Sequence, residues 1–340
     1  MTRSILLTGG AGFIGSHTYV ALVEAGYRVV ILDDFSNSSP VVLERLRQIT
    51  GEKDICLYRG SVLDRSLLNQ ILAEQDISAV VHFAAKKAVS ESVAEPLSYF
   101  NTNLVGLVTL LQSMKAAGVL TLVFSSSATV YGSPSPQEVP LTEESPRSFL
   151  NPYGFTKLSG EHILEQAAEA DPWVFGVLRY FNPVGAHPSG LIGEDPKDVP
   201  NNLVPYIAKV AKGELPYLQV FGDDYPTRDG TGERDYVHVM DLARGHMLSL
   251  DKLLESGESH LVNLGTGRAS SVLRVLDVYS QVVGRDLPYR IMPRRAGDVP
   301  IYQADVTRAA EVLGFKAQYD LLQMCQSSWH WIQTNDKQLR

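Results

Sequence analysis

The opening residues of the chain constrain its fold most. Ile5-Leu6-Leu7 is a short apolar run that ends in Thr8-Gly9-Gly10-Ala11-Gly12-Phe13-Ile14-Gly15. Helical periodicity follows from about Phe13 to Glu24, closed by Gly26, and Val29-Val30-Ile31-Leu32 reads as a second strand ending at Asp33-Asp34. Strand, glycine turn, helix, strand and acid make up the first unit of a doubly wound parallel sheet that binds a dinucleotide. The glycines fit two spacings, Gly10-x-Gly12-x-x-Gly15 and Gly9-x-x-Gly12-x-x-Gly15. Without side chains they let the backbone approach a pyrophosphate, whose charge then sits at the helix N-terminus. Asp33 stands about 20 residues past the motif, in range of the adenosine ribose hydroxyls. Its carboxylate would repel a 2′-phosphate, so the expected cofactor is NAD rather than NADP.

The alternation of strand and helix continues. Residues 55–58, 79–83, 120–124 and 173–178 read as strands, and 63–73, 97–117 and 153–168 as helices. The helix over 97–117 is interrupted by Asn101, Asn103 and Gly106, and asparagine is a poor helix-interior residue, so Asn103 is expected to hold a neighbouring backbone group or water. Ser125-Ser126-Ser127-Ala128-Thr129 is delivered at a strand's carboxyl end, where its hydroxyls are expected to face the ligand crevice. Such serine runs also form ordinary turns.

After Pro183 the regular alternation lapses into a loop rich in Gly, Pro and Asp. At 340 residues the chain is long for a single core. We therefore expect an α/β protein with a Rossmann-type doubly wound parallel sheet and a smaller C-terminal α/β substrate domain. The first domain covers 1–182, with a later segment of about 236–264 returning to it, and the second is mainly 183–340. In the second half, 201–212, 239–254, 271–283, 306–313 and 321–331 read as helices, 218–221 and 260–264 as strands, and 223–235 as a loop.

A hydrophobic fraction of 44% and a charged fraction of 20% are those of a soluble globular chain. The net charge of −8 argues against broad affinity for nucleic acid or anionic membranes. Cys56 and Cys325 are far apart with apolar neighbours, which suits reduced core thiols, and no Cys/His spacing suggests a metal. The N-terminal apolar run is too short for a signal h-region, so the expected location is cytoplasmic.

Asn151-Pro152-Tyr153-Gly154-Phe155-Thr156-Lys157 opens the helix after the Pro-rich loop. Asn151 suits the N-cap and Pro152 the first helical position. Tyr153 and Lys157 then share a helix face. A lysine ammonium and the helix N-terminus both favour the phenolate, which would make Tyr153 a general base. By itself the spacing is common, and an exposed Tyr and Lys on an ordinary helix fits it too. Arg234, Arg294 and Arg295 lie in second-half loops, where arginine forks suit diphosphate oxygens but also serve as solvated surface charge.

The glycine motif, Ser127 and Tyr153-x-x-x-Lys157 together resemble the extended short-chain dehydrogenase/reductase superfamily. Further stretches narrow the resemblance: residues 125–132, Arg179-Tyr180-Phe181-Asn182-Pro183-Val184-Gly185-Ala186-His187-Pro188, Pro200-Asn201-Asn202-Leu203 and residues 229–239. They are similar to the UDP-glucose 4-epimerase branch, over about 4–331. The resemblance implies a homodimer that uses retained NAD to interconvert UDP-galactose and UDP-glucose through a transient 4-keto sugar.

Residue by residue, it implies that Gly9, Gly12, Phe13, Ile14 and Gly15 cradle the pyrophosphate, with Asp33, Asn37 and Ser38 around the adenosine ribose. Ser61 and Val62 lie near adenine, and Ser61 replaces the family's usual aspartate, keeping a hydrogen-bond acceptor without the charge. Phe83, Ala84, Ala85 and Lys87 line the cofactor, Thr102 stands where asparagine is frequent, and Phe181 packs near the nicotinamide. Lys157 bonds the nicotinamide ribose. Ser127, Tyr153 and Lys87 reach the sugar. Asn182, Asn202, Leu203, Gln219 and Phe221 hold uridine or sugar, Arg234 and Arg295 clamp the diphosphate, and Asp298 lies near the uridine ribose. Tyr302 is implied beside the sugar 2-position, where its bulk should exclude an acetamido group.

A dehydratase of related nucleotide sugars needs an acid pair just after the serine, and Ala128-Thr129 supplies none. An epimerase or decarboxylase acting on a UDP-uronate remains an alternative, as does a non-catalytic NAD-sensing module.

Overall fold

The computed structural model describes residues 2–195, 200, 202–295 and 297–338. Its first part alternates strand and helix: β1 (Ser4–Thr8), α1 (Phe13–Glu24), β2 (Arg28–Asp33), α2 (Val41–Thr50), β3 (Cys56–Arg59), α3 (Arg65–Glu74) and β4 (Ile77–His82). Three helices, α4 (Val89–Ala94), α5 (Pro96–Tyr99) and α6 (Gly106–Ala116), lead to β5 (Thr121–Ser127). After it come α7 (Pro152–Ala170), β6 (Val174–Tyr180), β7 (Asn182–Val184), α8 (Leu203–Lys212), β8 (Leu218–Phe221), β9 (Glu233–His238), α9 (Val239–Ser256) and β10 (His260–Leu264). The chain ends with β11 (Ala269–Ser271), α10 (Val272–Val283), β12 (Tyr289–Met292), β13 (Ile301–Tyr302), α11 (Thr307–Leu313) and α12 (Leu321–Gln338).

Seven strands form one sheet in the order β3-β2-β1-β4-β5-β6-β10, every neighbouring pair parallel. Strands covered on both faces read as unbroken apolar runs. Ile5, Leu6 and Leu7 of β1 and Val80 and Val81 of β4 are indeed fully buried. Each such side chain contributes about 1.5–3 kcal/mol of burial. Strand order reverses between β1 and β4, which opens a crevice beyond their carboxyl ends. The glycine turn packs tightly there. Gly9 has φ +70°, and a Cβ on it would come within 2.7 Å of the Ala84 amide nitrogen, while one on Gly15 would run into the Gly9 carbonyl oxygen.

A second core gathers Val204 and Ile207 of α8, Leu218 and Val220 of β8, Leu276 and Tyr279 of α10, and Met324 and Cys325 of α12. Here β9 pairs with β7, β11 and β13, and β12 with β8. Leu242 and Leu250 of α9 and Val262 and Leu264 of β10 instead join the core that holds β1 and α1. Among the described residues no helix is long and apolar enough to cross a membrane.

Local reading missed or misplaced several elements. Residues 41–50 form α2, whose buried Leu46 and half-buried Val42, Leu43 and Ile49 seat it on the first core. The stretch taken as a loop to residue 235 becomes a strand at Glu233, because three partner strands satisfy its backbone. The helix expected over 97–117 splits around wider π-type turns at Phe100–Val105. Asn103 lies in that break. It accepts from the Lys86 amide at 2.8 Å and donates to the Lys86 carbonyl and Thr156 Oγ1 at 3.0 Å. Asn201, expected to begin a helix, lies outside the described residues. The helix proper is α8, with Asn202 at its N-cap.

Candidate active site

Asn151 accepts a hydrogen bond from the Gly154 amide at 2.9 Å, and Pro152 occupies the first turn of α7. This cap places Tyr153 at the helix mouth and Lys157 one turn deeper. The Lys157 ammonium donates to the Ser125 carbonyl at 2.7 Å and lies 5.9 Å from the centre of the Tyr153 ring. Ser127 closes β5, and its hydroxyl accepts from the Thr129 amide at 3.3 Å.

The electrostatics differ from the expectation for an exposed helix face. Burial pushes Tyr153 up to about 12, with the neighbouring Ser127 hydroxyl working against it. Lys157 is drawn down to about 8 by burial, with the Glu161 carboxylate opposing. In the chain alone, desolvation therefore outweighs the Ser127 hydrogen bond at Tyr153 and the Glu161 charge at Lys157. The serine run also divides. Ser126 turns away from the crevice and bonds Glu161, because successive strand residues face opposite sides.

The crevice residues fit a dinucleotide. Gly12 caps α1 with no side-chain hydrogen bond, so the first-turn amides around the half-buried Phe13 and Ile14 suit a pyrophosphate. Asp33, buried at the end of β2, accepts from the amides of Ala11 and Phe35 at 2.9 Å and from Ser38 Oγ at 2.8 Å. A carboxylate has about four lone-pair sites, so capacity for a ribose hydroxyl remains. Asn37 is exposed at the rim. Ser61 accepts from the Leu63 amide at 3.2 Å, and Val62 is buried against Gly106. Phe83 extends β4 by donating to the Thr8 carbonyl at 2.9 Å, and Ala84 and Ala85 follow it, half-buried. Thr102 is half-buried beside Asn103, and Phe181 is buried 6.5 Å from the Tyr131 ring.

The other wall comes from the second half. Arg234 lies 5.6 Å from the centre of the Tyr302 ring and 4.0 Å from Asp298, and Tyr302 donates to the Gly132 carbonyl. Arg295 stacks on Phe221 at 3.7 Å, with Gln219 on the same strand. Asn182 opens β7, exposed, and Leu203 begins α8, half-buried. Arg294 pairs with Asp224 at 2.6 Å and stacks on Tyr225 at 4.1 Å, which makes it a loop brace.

One contact across the cleft had no local signal. The Glu194 carboxylate accepts from Lys87 Nζ at 2.8 Å and from Asn202 Nδ2 at 2.9 Å, joining two candidate ligand residues far apart in sequence. Glu161 and Arg179, a buried pair behind the tyrosine, were likewise not distinguished as site residues.

The chain is similar to several known proteins. A family model described as GDP-mannose 4,6 dehydratase matches residues 6–328. The chain is 51% identical to UDP-glucose 4-epimerase of Neisseria meningitidis serogroup B, covering 98% of each chain. It is also 51% identical to that of Bacillus subtilis, covering 98% of this chain and 97% of the other. A UDP-glucose 4-epimerase structure from Stenotrophomonas maltophila, with bound NAD and formylated UDP-arabinopyranose, superposes with a TM-score of 0.96 at 46% identity over 99% of both chains. One from Bifidobacterium longum, in complex with NAD+ and UDP, gives 0.93 at 50% identity, covering 98% of this chain and 99% of that one.

Proposed function

The chain belongs to the UDP-glucose 4-epimerase family of extended short-chain dehydrogenase/reductases, and from that premise we propose that it interconverts UDP-galactose and UDP-glucose by epimerisation at C4. The observation that carries this reading is the meeting of Tyr153 with Ser127 and Lys157 at the carboxyl end of β5, with Tyr302 of the second half reaching the Gly132 carbonyl just beyond it. The matched family model carries a dehydratase's description, yet Ala128-Thr129 lacks the acid pair that water elimination requires.

Bound NAD supplies the acceptor and donor of the C4 hydride, together with a positive ring charge that favours the tyrosine phenolate. Tyr153 takes the proton of the sugar 4-hydroxyl and later returns it, and Ser127 orients that hydroxyl. Lys157 would hold the nicotinamide ribose, and it adds positive charge near the tyrosine. Arg234, Arg295 and Asp298 anchor the nucleotide, which leaves the 4-keto sugar able to turn about its diphosphate linkage. The test is incubation of the purified protein with UDP-galactose without added NAD. Formation of UDP-glucose is expected, and its absence would count against both the reaction and the retained cofactor.

Tyr302 is held by Gly132 and by the overlying Arg234, and a ring fixed in this way beside the sugar 2-position would exclude an acetamido group. Efficient conversion of UDP-N-acetylglucosamine by the unmodified protein would refute this. We read the chain as two domains meeting near Asn182, acting in the cytoplasm as a homodimer. The dimer reading draws support from the exposed Val93, Leu97, Val105, Phe149 and Leu150 on α4–α6 and at the entrance to α7. Sedimentation of a monomer at micromolar concentration would contradict it.

A further inference from the structure

Tyr153, Lys157 and Glu161 follow one another at four-residue spacing along a single face of α7. Glu161 is only 1% exposed, and three parts of the chain meet at its carboxylate. Oε1 accepts from Arg179 Nε at 2.8 Å and from the Ser126 hydroxyl at 2.5 Å, and Oε2 accepts from Arg179 Nη2 at 2.6 Å and Arg147 Nη1 at 3.4 Å. Arg179, also 1% exposed, donates in addition to the Tyr131 hydroxyl at 3.1 Å and the Glu143 carbonyl at 3.0 Å. Ser126 immediately precedes Ser127, and Arg179 lies two residues before Phe181. One bidentate ion pair thus joins the strand end that carries the serine, the helix that carries the tyrosine and lysine, and the strand that runs to the nicotinamide side.

We propose that Glu161 and Arg179 are positioning residues for the epimerisation: the pair sets the register between Ser127 and the Tyr153–Lys157 face, and Glu161 presents a negative charge to Lys157 from behind. The proposal rests on the epimerase reading. The titratable groups facing Lys157 are Tyr153 and Glu161 on α7 and His82 on β4, with Tyr180 of β6 next to Tyr153. Burial and the lysine's own charge push His82 down to about 3, so it carries no charge near neutral pH. Of these groups, Glu161 is the one that works to keep Lys157 protonated. A buried ion pair that only held the fold would have no effect on the titration of the catalytic step.

The test compares Glu161→Gln with Glu161→Asp on the NAD-loaded protein. In Glu161→Gln we expect NAD retained on purification, KM for UDP-galactose within about threefold, and kcat reduced about tenfold or more. Loss of the anion lowers the Lys157 pKa, so the alkaline limb of the kcat profile moves to lower pH, by about half a unit or more. Glu161→Asp keeps the charge and should return the limb towards its original position. Because Glu161→Gln leaves Arg179 buried without a counter-charge, the paired variant Glu161→Gln with Arg179→Met is measured alongside and should show a smaller shift in the same direction, since a cation is removed with the anion. An unmoved limb with kcat within twofold, in whichever variant is folded, overturns the proposal. A wild-type protein that leaves UDP-galactose unconverted overturns the epimerase reading and this proposal with it.

Discussion

The proposed NAD side of the cleft is held by backbone and buried charge, whereas the proposed nucleotide-sugar side is held by long side chains stacked on rings. On the first side, Gly9 packs on Ala84, Asp33 is fastened by three donors, and Lys157 bonds a strand carbonyl. On the second, Arg234 overlies Tyr302, and Arg295, itself exposed, overlies Phe221. Backbone and buried groups lose little freedom when a ligand arrives, while an exposed arginine such as Arg295 must be ordered by it. A cofactor kept through every turnover suits the first construction, and a substrate exchanged each time suits the second.

Four measurements can break or sharpen this contrast. The largest effect belongs to Tyr153→Phe, which should reduce kcat by about a thousandfold while leaving NAD bound. Activity within tenfold of wild type would remove Tyr153 as the base. Next, Arg234→Met should raise KM for UDP-galactose about 10- to 100-fold, the range for a lost hydrogen bond to a charged group. Its retained NAD should be unchanged, and co-loss of NAD would show that the two sides are not separable.

The third concerns acid. His17, His82 and His246 are buried in α1, β4 and α9 and held down to about 3, 3 and 4 respectively, chiefly by desolvation. The unfolded chain binds protons below the ordinary value of 6.5 that the folded chain refuses, so stability is full above that pH and falls as pH drops through it. The loss should reach up to roughly 2 kcal/mol per histidine by about pH 5. His246→Phe should make the thermal midpoint less dependent on pH over this interval, and an unchanged slope would show that these histidines do not govern acid sensitivity. The smallest effect is expected from Arg295→Ala, a rise in KM of about two- to fivefold, as for an exposed cation–π contact.

Much of the first half of the chain was legible because its signals are local. The run before Gly9, the glycine spacings and Asp33 identify β1, α1 and β2 within one stretch, and Asn151-Pro152 announces the start of α7. The second half was harder to read. The first three residues of β9 read locally as loop because its partners β7, β11 and β13 lie elsewhere in the chain. Of the three adjacent serines, only the alternation of a strand shows that Ser126 turns from the crevice to Glu161.

The sequence by itself determined the dinucleotide crevice, the preference for NAD and the Tyr153–Lys157 spacing, since each depends on residues close together in the chain. Tertiary structure decided which charges count. It seated Glu161 against Arg179, linked Lys87 to Asn202 through Glu194, and raised Tyr153 where an exposed helix would have lowered it. Desolvation and long-range pairing depend on what packs around a group, and no local spacing carries that information.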